Sequence, residues 1–82
     1  MVTVKYTSKF RVDLGREMER LQAGDVAELI AKLEKRYGDA FISLMRLGKI
    51  FVNGQSIENG PGRQTPLAEG DEVVFLLPVA GG

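Results

Sequence analysis

The chain has 82 residues, 44% hydrophobic and 27% charged, and its eleven basic and eleven acidic side chains cancel to a formal net charge of zero. A chain of this length supports a single core that hides roughly 60–65% of the extended surface, and zero net charge supplies no overall field toward nucleic acid or anionic lipid. With neither cysteine nor histidine, disulfides, thiolate nucleophiles, the commonest metal ligands and the commonest general base are all excluded, so no metal site is expected.

Val2, Val4 and Tyr6 alternate with Thr3, Lys5 and Thr7, the two-residue period of a half-buried strand. From Ser8 to Leu21 the pattern has two readings: Phe10, Val12 and Leu14 fit a strand, and Phe10 with Leu14 also fits one helical turn. Gly15 breaks this stretch, and Glu17 to Leu21 can return as a second strand. From Asp25 to Tyr37, Val26, Leu29, Ile30, Leu33 and Tyr37 form one apolar stripe at helical spacing. Asp25 is suited to cap that helix, Glu28 to complete a capping box, and Gly38 to end it in a left-handed conformation.

Lys32, Lys35 and Arg36 lie off the stripe and are read as a solvated face. Ala40, Phe41, Leu44 and Met45 predict a further short helical turn. Asn53-Gly54, between Ile50-Phe51-Val52 and Gln55-Ser56-Ile57, predicts a tight hairpin, because that turn needs positive φ at both central positions. After the loop at Asn59-Gly60-Pro61-Gly62, a turn at Glu69-Gly70-Asp71 leads into a closing strand, Glu72 to Leu77. These elements predict a mixed sheet curled round one helix. The longest apolar runs, such as Val73 to Val79, are far too short to cross a membrane, and a cytoplasmic location is expected.

In the closing strand, alternation puts Val73, Phe75 and Leu77 on one face and Val74 and Leu76 on the other, and both faces are apolar. One helix covers one face, so the second is expected either beneath a loop or against a partner. Pro78 fixes its own φ and pushes Leu77 toward extended backbone. Val79-Ala80-Gly81-Gly82 offers little to anchor it, which predicts a domain over 1–77 and a flexible tail over 78–82. A segment almost free of side chains can thread a narrow channel in another protein. An α-carboxylate there, with an ordinary pKa near ~3.5, is ionised and unreactive until an outside enzyme activates it.

The residues PLAEGDEVVFLLPVAGG, 66–82, resemble the C-terminal signature of the MoaD/ThiS family of ubiquitin-like sulfur carriers, with Leu67, Gly70, Asp71, Glu72, Val73, Pro78, Val79, Gly81 and Gly82 matching. The resemblance implies an α+β, β-grasp (ubiquitin-like) fold, with four to five strands around one main helix. Its length and its Pro-Val-Ala-Gly-Gly ending look most like the small subunit of molybdopterin synthase, which carries sulfur and is not itself an enzyme. The cycle it implies begins with an E1-like adenylyltransferase of the MoeB/ThiF type, which spends ATP to adenylate Gly82. A sulfurtransferase or cysteine desulfurase system then supplies sulfur for a thiocarboxylate, and a large synthase subunit of the MoaE type receives the tail. No bound cofactor is implied.

Carried onto this chain, the resemblance makes Gly82 the reactive residue. Gly81 and Ala80 thread the channel, Leu76 on the outward face docks partner surfaces, and Val79, Pro78, Val74 and Phe75 complete the partner-binding residues. Related carriers with the same ending serve thiazole, tungsten-cofactor, tRNA-thiolation or cysteine synthesis, or protein conjugation, so the acceptor stays open. GKIFVNGQ and LAEGDEVVF also echo a small S4-like RNA-binding module, which would need a concentrated basic face that zero net charge disfavours. A ubiquitin-like interaction domain without tail chemistry is the third reading. Asp71 and Glu72, adjacent on one strand entry, point to opposite faces and form no catalytic pair.

Overall fold

Where apolar side chains alternate, the chain extends, and where they recur every third or fourth residue, it coils. The computed structural model describes residues 1–78 and runs β1 (Val2–Tyr6), α1 (Ser8–Leu14), β2 (Met18–Leu21), α2 (Val26–Tyr37), α3 (Asp39–Met45), β3 (Lys49–Val52), β4 (Gln55–Ser56) and β5 (Glu72–Leu76). Short 3-10 turns at Ile57–Asn59 and Gly62–Gln64 fill the loop before β5. The strand order is β2-β1-β5-β3-β4, with β1 and β5 parallel and every other neighbouring pair antiparallel. This is the β-grasp arrangement the resemblance implies.

For Phe10 to Leu14 the helical reading holds and the strand reading fails, since this part forms α1, and the second strand expected over Glu17 to Leu21 forms as β2. Phe10 is fully buried and Val12 is 74% exposed, so only one side of α1 meets the core. A continuous strand would have put Phe10, Val12 and Leu14 on the same face. Gly15, at φ 67°, ψ 27°, stops α1 in the left-handed conformation and donates its N–H to the Arg11 carbonyl.

In α2, the Glu28 N–H donates to Asp25 Oδ1 at 2.8 Å, the expected cap. The returning bond shifts by one residue, since Glu28 Oε1 accepts from Gly24 N–H at 2.6 Å instead of from Asp25. Gly38 also departs from expectation. Its φ of 62° is positive, but ψ of −137° lies outside the left-handed helical well. The cause is that Gly38 serves two helices at once: its N–H donates to the Glu34 carbonyl, and its own carbonyl accepts from the N–H groups of Phe41 and Ile42 at the start of α3.

The core joins Val2, Val4 and Tyr6 of β1 with Ile50 of β3 and Val73 and Phe75 of β5. Val26, Leu29, Ile30 and Leu33 of α2 close over them, with Phe10, Phe41 and Leu44 at one end. Phe75 is central, its ring within 5.6–5.9 Å of the rings of Tyr6, Phe10 and Phe41, and such aromatic packing adds to area burial. The chain re-enters the sheet after α3 across Phe10. A Cβ on Gly48 would lie 2.7 Å from Phe10 Cζ and 3.0 Å from the Leu44 carbonyl oxygen. Gly48→Ala is therefore expected to destabilise the domain by about 1–3 kcal/mol through overpacking, read from urea-unfolding midpoints.

Two turns are tied together at the other end of β5. Asn53 (φ 50°) and Gly54 (φ 84°) make the expected hairpin turn between β3 and β4. Asn53 Nδ2 donates to Asp71 Oδ1 at 3.0 Å, Asn53 Oδ1 accepts from Glu72 N–H at 3.0 Å, and Asp71 Oδ2 accepts from Ala68 N–H at 2.8 Å. Asp71 and Asn53 thus fix the entry of β5 next to β3. These donors hold the Asp71 carboxyl below its usual range, the Ala68 N–H most strongly and then Asn53.

Candidate functional site

The candidate site is the outer face of the sheet where β5 leaves it. The cross-strand register places Met18, Lys5, Val74, Phe51 and Ser56 in one row across all five strands, and Leu76 beside Lys49 in the next. By strand parity these side chains stand opposite Val4, Val73, Phe75 and Ile50, which fill the core. Val74, Leu76 and Phe51 are half-buried and do not join the core cluster, and Met18 is 48% exposed. The result is an apolar strip flanked by Lys5, paired to Glu72 at 2.9 Å, and Lys49, paired to Glu58 at 2.7 Å.

At the strip's edge the end of β5 is held firmly. The Phe75 carbonyl accepts from both the N–H and the hydroxyl of Thr7, each at 3.1 Å. Leu77, partly buried against the core, continues the inner face, and Pro78 is exposed. Rigid positioning up to Leu77 gives whatever follows a fixed point of departure.

Of the residues expected to contact partners, Leu76 and Val74 lie on the outer strip as alternation required. Phe75 is a correction: it is fully buried among Tyr6, Phe10 and Phe41, so no partner touches it unless the core opens. Val79, Ala80, Gly81 and Gly82 lie outside the described residues. Met18, Phe51, Lys5 and Lys49 were not foreseen. Alternation in Ile50-Phe51-Val52 already opposed Phe51 to its neighbours, but nothing local said that β3 and β1 would be the strands flanking β5.

A second feature missed from sequence is Glu19, whose side chain is 3% exposed. Its Oε2 accepts from the hydroxyls of Tyr6 at 2.6 Å and Tyr37 at 2.5 Å, and its Oε1 meets the Arg36 guanidinium, with Arg16 at 3.6 Å. Burial pushes its pKa up, but the two phenols and then Arg36 and Arg16 outweigh burial and hold it below the ordinary value. Burial, and then Glu19, push both phenols up, Tyr6 far more than Tyr37.

Because the folded pKa of Glu19 is depressed, its contribution to stability is complete above the unfolded value of about 4.3 and is lost as pH falls through the lower folded value. Glu19→Gln is expected to lower stability at neutral pH and to flatten the fall in stability below that point, measured as urea midpoints against pH. Among the described residues, no group of three or more carboxylates gathers as a metal site, and no helix is long and apolar enough to cross a membrane.

The ThiS family pattern matches residues 4–82, nearly the whole chain. The chain belongs to the ThiS family of ubiquitin-like sulfur carriers. Solved structures agree with this membership. The ThiS-family chain is similar to a chain of the Amycolatopsis orientalis BexX/CysO complex, with 25% identity, all of both chains covered and a TM-score of 0.84. It is similar to Mycobacterium tuberculosis CysO, with 26% identity, 96% of this chain and 100% of that one covered, and a TM-score of 0.81. In the complex of subunits 1 and 2 of the Helicobacter pylori molybdopterin-converting factor, one chain is 26% identical, with 99% and 97% covered and a TM-score of 0.74. No curated protein matches the chain by sequence. Two of these relatives are complexes with partner proteins, as expected of carriers that act by docking.

Proposed function

We propose that this ThiS-family carrier is the small, sulfur-donating subunit of a molybdopterin synthase-type complex and carries its sulfur as a thiocarboxylate on Gly82. The observation that supports this most directly is the apolar strip of Val74, Leu76 and Phe51. It lies on the outer face of β5, the last strand before residues 78–82 in the sequence. The Gly82 carboxylate attacks the α-phosphorus of ATP on the E1-like adenylyltransferase, forming an acyl adenylate and releasing pyrophosphate. The outer sulfur of a persulfide supplied through a sulfurtransferase or cysteine desulfurase then attacks the acyl carbon and displaces AMP, and a thiol reductant cleaves the resulting acyl disulfide to leave the thiocarboxylate.

In this reading, Gly81 and Ala80 thread the channel of the large subunit, Val79 and Pro78 lead into it, and Leu76 and Val74 seat the domain against the partner. Absence of side chains at Gly81 and Gly82 lets partner backbone approach closely. ATP is consumed by the activating enzyme, and the carrier itself holds no cofactor.

The test is incubation with the activating enzyme, ATP and a sulfur donor, followed by intact mass. One oxygen of the chain is expected to be exchanged for sulfur, and persistent recovery of the unmodified mass with such enzymes would reject the reading. Transfer from that thiocarboxylate to a pterin precursor, in the presence of the large subunit, then tests the acceptor. Leu76→Glu is expected to weaken large-subunit binding about tenfold or more, since a buried apolar anchor becomes an unpaired charge, with a smaller effect on the melting temperature.

The two CysO structures, with TM-scores above that of the molybdopterin-converting factor chain, favour one second reading. There the same chemistry at Gly82 serves a different acceptor, such as a cysteine precursor, and sulfur moves without the pterin-binding subunit.

A further inference from the structure

The sheet carries another surface at its β2 edge, two strands away from β5. In the antiparallel β1–β2 pair, Val4 stands opposite Glu19, and the Tyr6 N–H donates to the Glu17 carbonyl at 2.9 Å. Bonded and non-bonded pairs alternate along such a ladder. Glu17, Glu19 and Leu21 therefore aim their backbone groups at β1, and those of Met18 and Arg20 point away from it. β2 is the terminal strand, so among the described residues no strand meets these groups. The next outward carbonyl, that of Gln22, is taken by Lys32 Nζ from α2.

Between this edge and α2 runs a groove of about 320 Å³ lined by Leu21, Lys32, Lys35 and Arg36. Arg36 is directed at Glu19 and Lys32 at Gln22 and Glu28, whereas Lys35 and Arg20 form no ion pair among the described residues. An edge with unpaired N–H and C=O groups, an apolar residue beside it and spare cations on both sides has the features that bind an extended chain by strand addition.

A second copy of this chain fits poorly. A two-fold axis perpendicular to the sheet keeps the two inner faces together. Either register that overlaps three of the four β2 residues then sets Arg20 opposite Arg20 or Glu19 opposite Glu19, and like charges directly opposed are destabilising. A nucleic acid would use the cations but leave the edge groups and Leu21 without partners.

We propose that the free edge of β2 and the adjoining basic groove bind an extended acidic segment of a partner protein, which adds to the sheet against Met18 and Arg20. Alternate side chains of the added strand meet Leu21 and Lys35 on the groove side and Arg20 on the outer side. The segment is therefore apolar at its centre and carboxylate-rich around it. This site is independent of the sulfur chemistry, and a chain lacking Gly82 keeps it.

The experiment is a backbone-amide NMR titration of the full chain with a synthetic peptide whose Val-Ile-Val centre is flanked by Asp and Glu. A peptide with the same centre flanked by Lys and a short single-stranded oligonucleotide are run in parallel. The acidic peptide is expected to move the Met18 and Arg20 amides and slow their hydrogen exchange, with affinity falling as salt rises. Lys35→Glu should weaken it about fivefold with no change in melting temperature. Arg20→Pro, which removes an edge N–H but spares the ladder to β1, should abolish the slowed exchange.

Absence of binding, equal binding of the Lys-flanked peptide, shifts centred on Val74 and Leu76, or stronger binding of the oligonucleotide would each overturn the proposal. If Arg20→Pro does not fold, the salt dependence and Lys35→Glu decide the matter.

Discussion

A chain lacking only Gly82 is expected to fold normally and to take no sulfur. Among the described residues, every buried core residue lies between Val2 and Phe75, and the partly buried residues packed against that cluster end at Leu77. The core of the described residues is assembled without position 82, and melting temperature and urea midpoint should stay close to those of the intact chain. The proposed chemistry behaves differently, because adenylation occurs at one atom group and shortening the tail draws that carboxylate back by one residue, about 3.3–3.6 Å of extended chain. A misplacement of that size is enough to remove most of the rate gained from positioning. Intact mass after incubation with the activating enzyme, ATP and sulfur donor is the readout, with full conversion of the shortened chain as the result that would refute the proposal.

Phe75→Ala is expected to do the reverse, destabilising the domain by about 3–5 kcal/mol. Against a total of about 5–15 kcal/mol for a domain of ordinary stability, that leaves little margin. The ring is fully buried and lies against Tyr6, Phe10 and Phe41, so truncation opens a cavity bordered by β1, α1 and α3. Loss of partner binding in this variant should track loss of folded protein, whereas Leu76→Glu should lose binding while still folded. Thermal unfolding measured beside large-subunit affinity separates the two, and equal destabilisation by both substitutions would contradict the assignment of faces on β5.

Some of this contrast was legible in Val73-Val74-Phe75-Leu76-Leu77, since strand alternation alone assigns Phe75 and Leu76 to opposite faces. Which face is the core requires knowing where α2 lies, and the local sequence is apolar on both sides. The same limit explains Glu19. Within Met18-Glu19-Arg20-Leu21 its charge argues for solvent, and only the approach of Tyr6, Tyr37 and Arg36 from two other elements makes its burial tolerable. Ser8 to Leu21 had two readings for a related reason. One stretch held a helix and a strand separated by Gly15, each too short for periodicity to outweigh the other.

Local chemistry by itself determined the stripe and cap of α2, the Asn53-Gly54 turn, the alternation of β1 and β5, and the glycine ending that carries the family signature. Each depends on residues a few positions apart, whose side-chain spacing and φ preferences act before any distant contact forms. Tertiary structure alone decided that β5 runs parallel to β1 and antiparallel to β3, that Phe51, Met18 and Lys5 align with Val74 on one outer face, and that β2 ends the sheet beside a basic groove. Those arrangements depend on pairing between segments far apart in the chain. Strand partners are chosen by the packing of the whole core, which no single segment encodes.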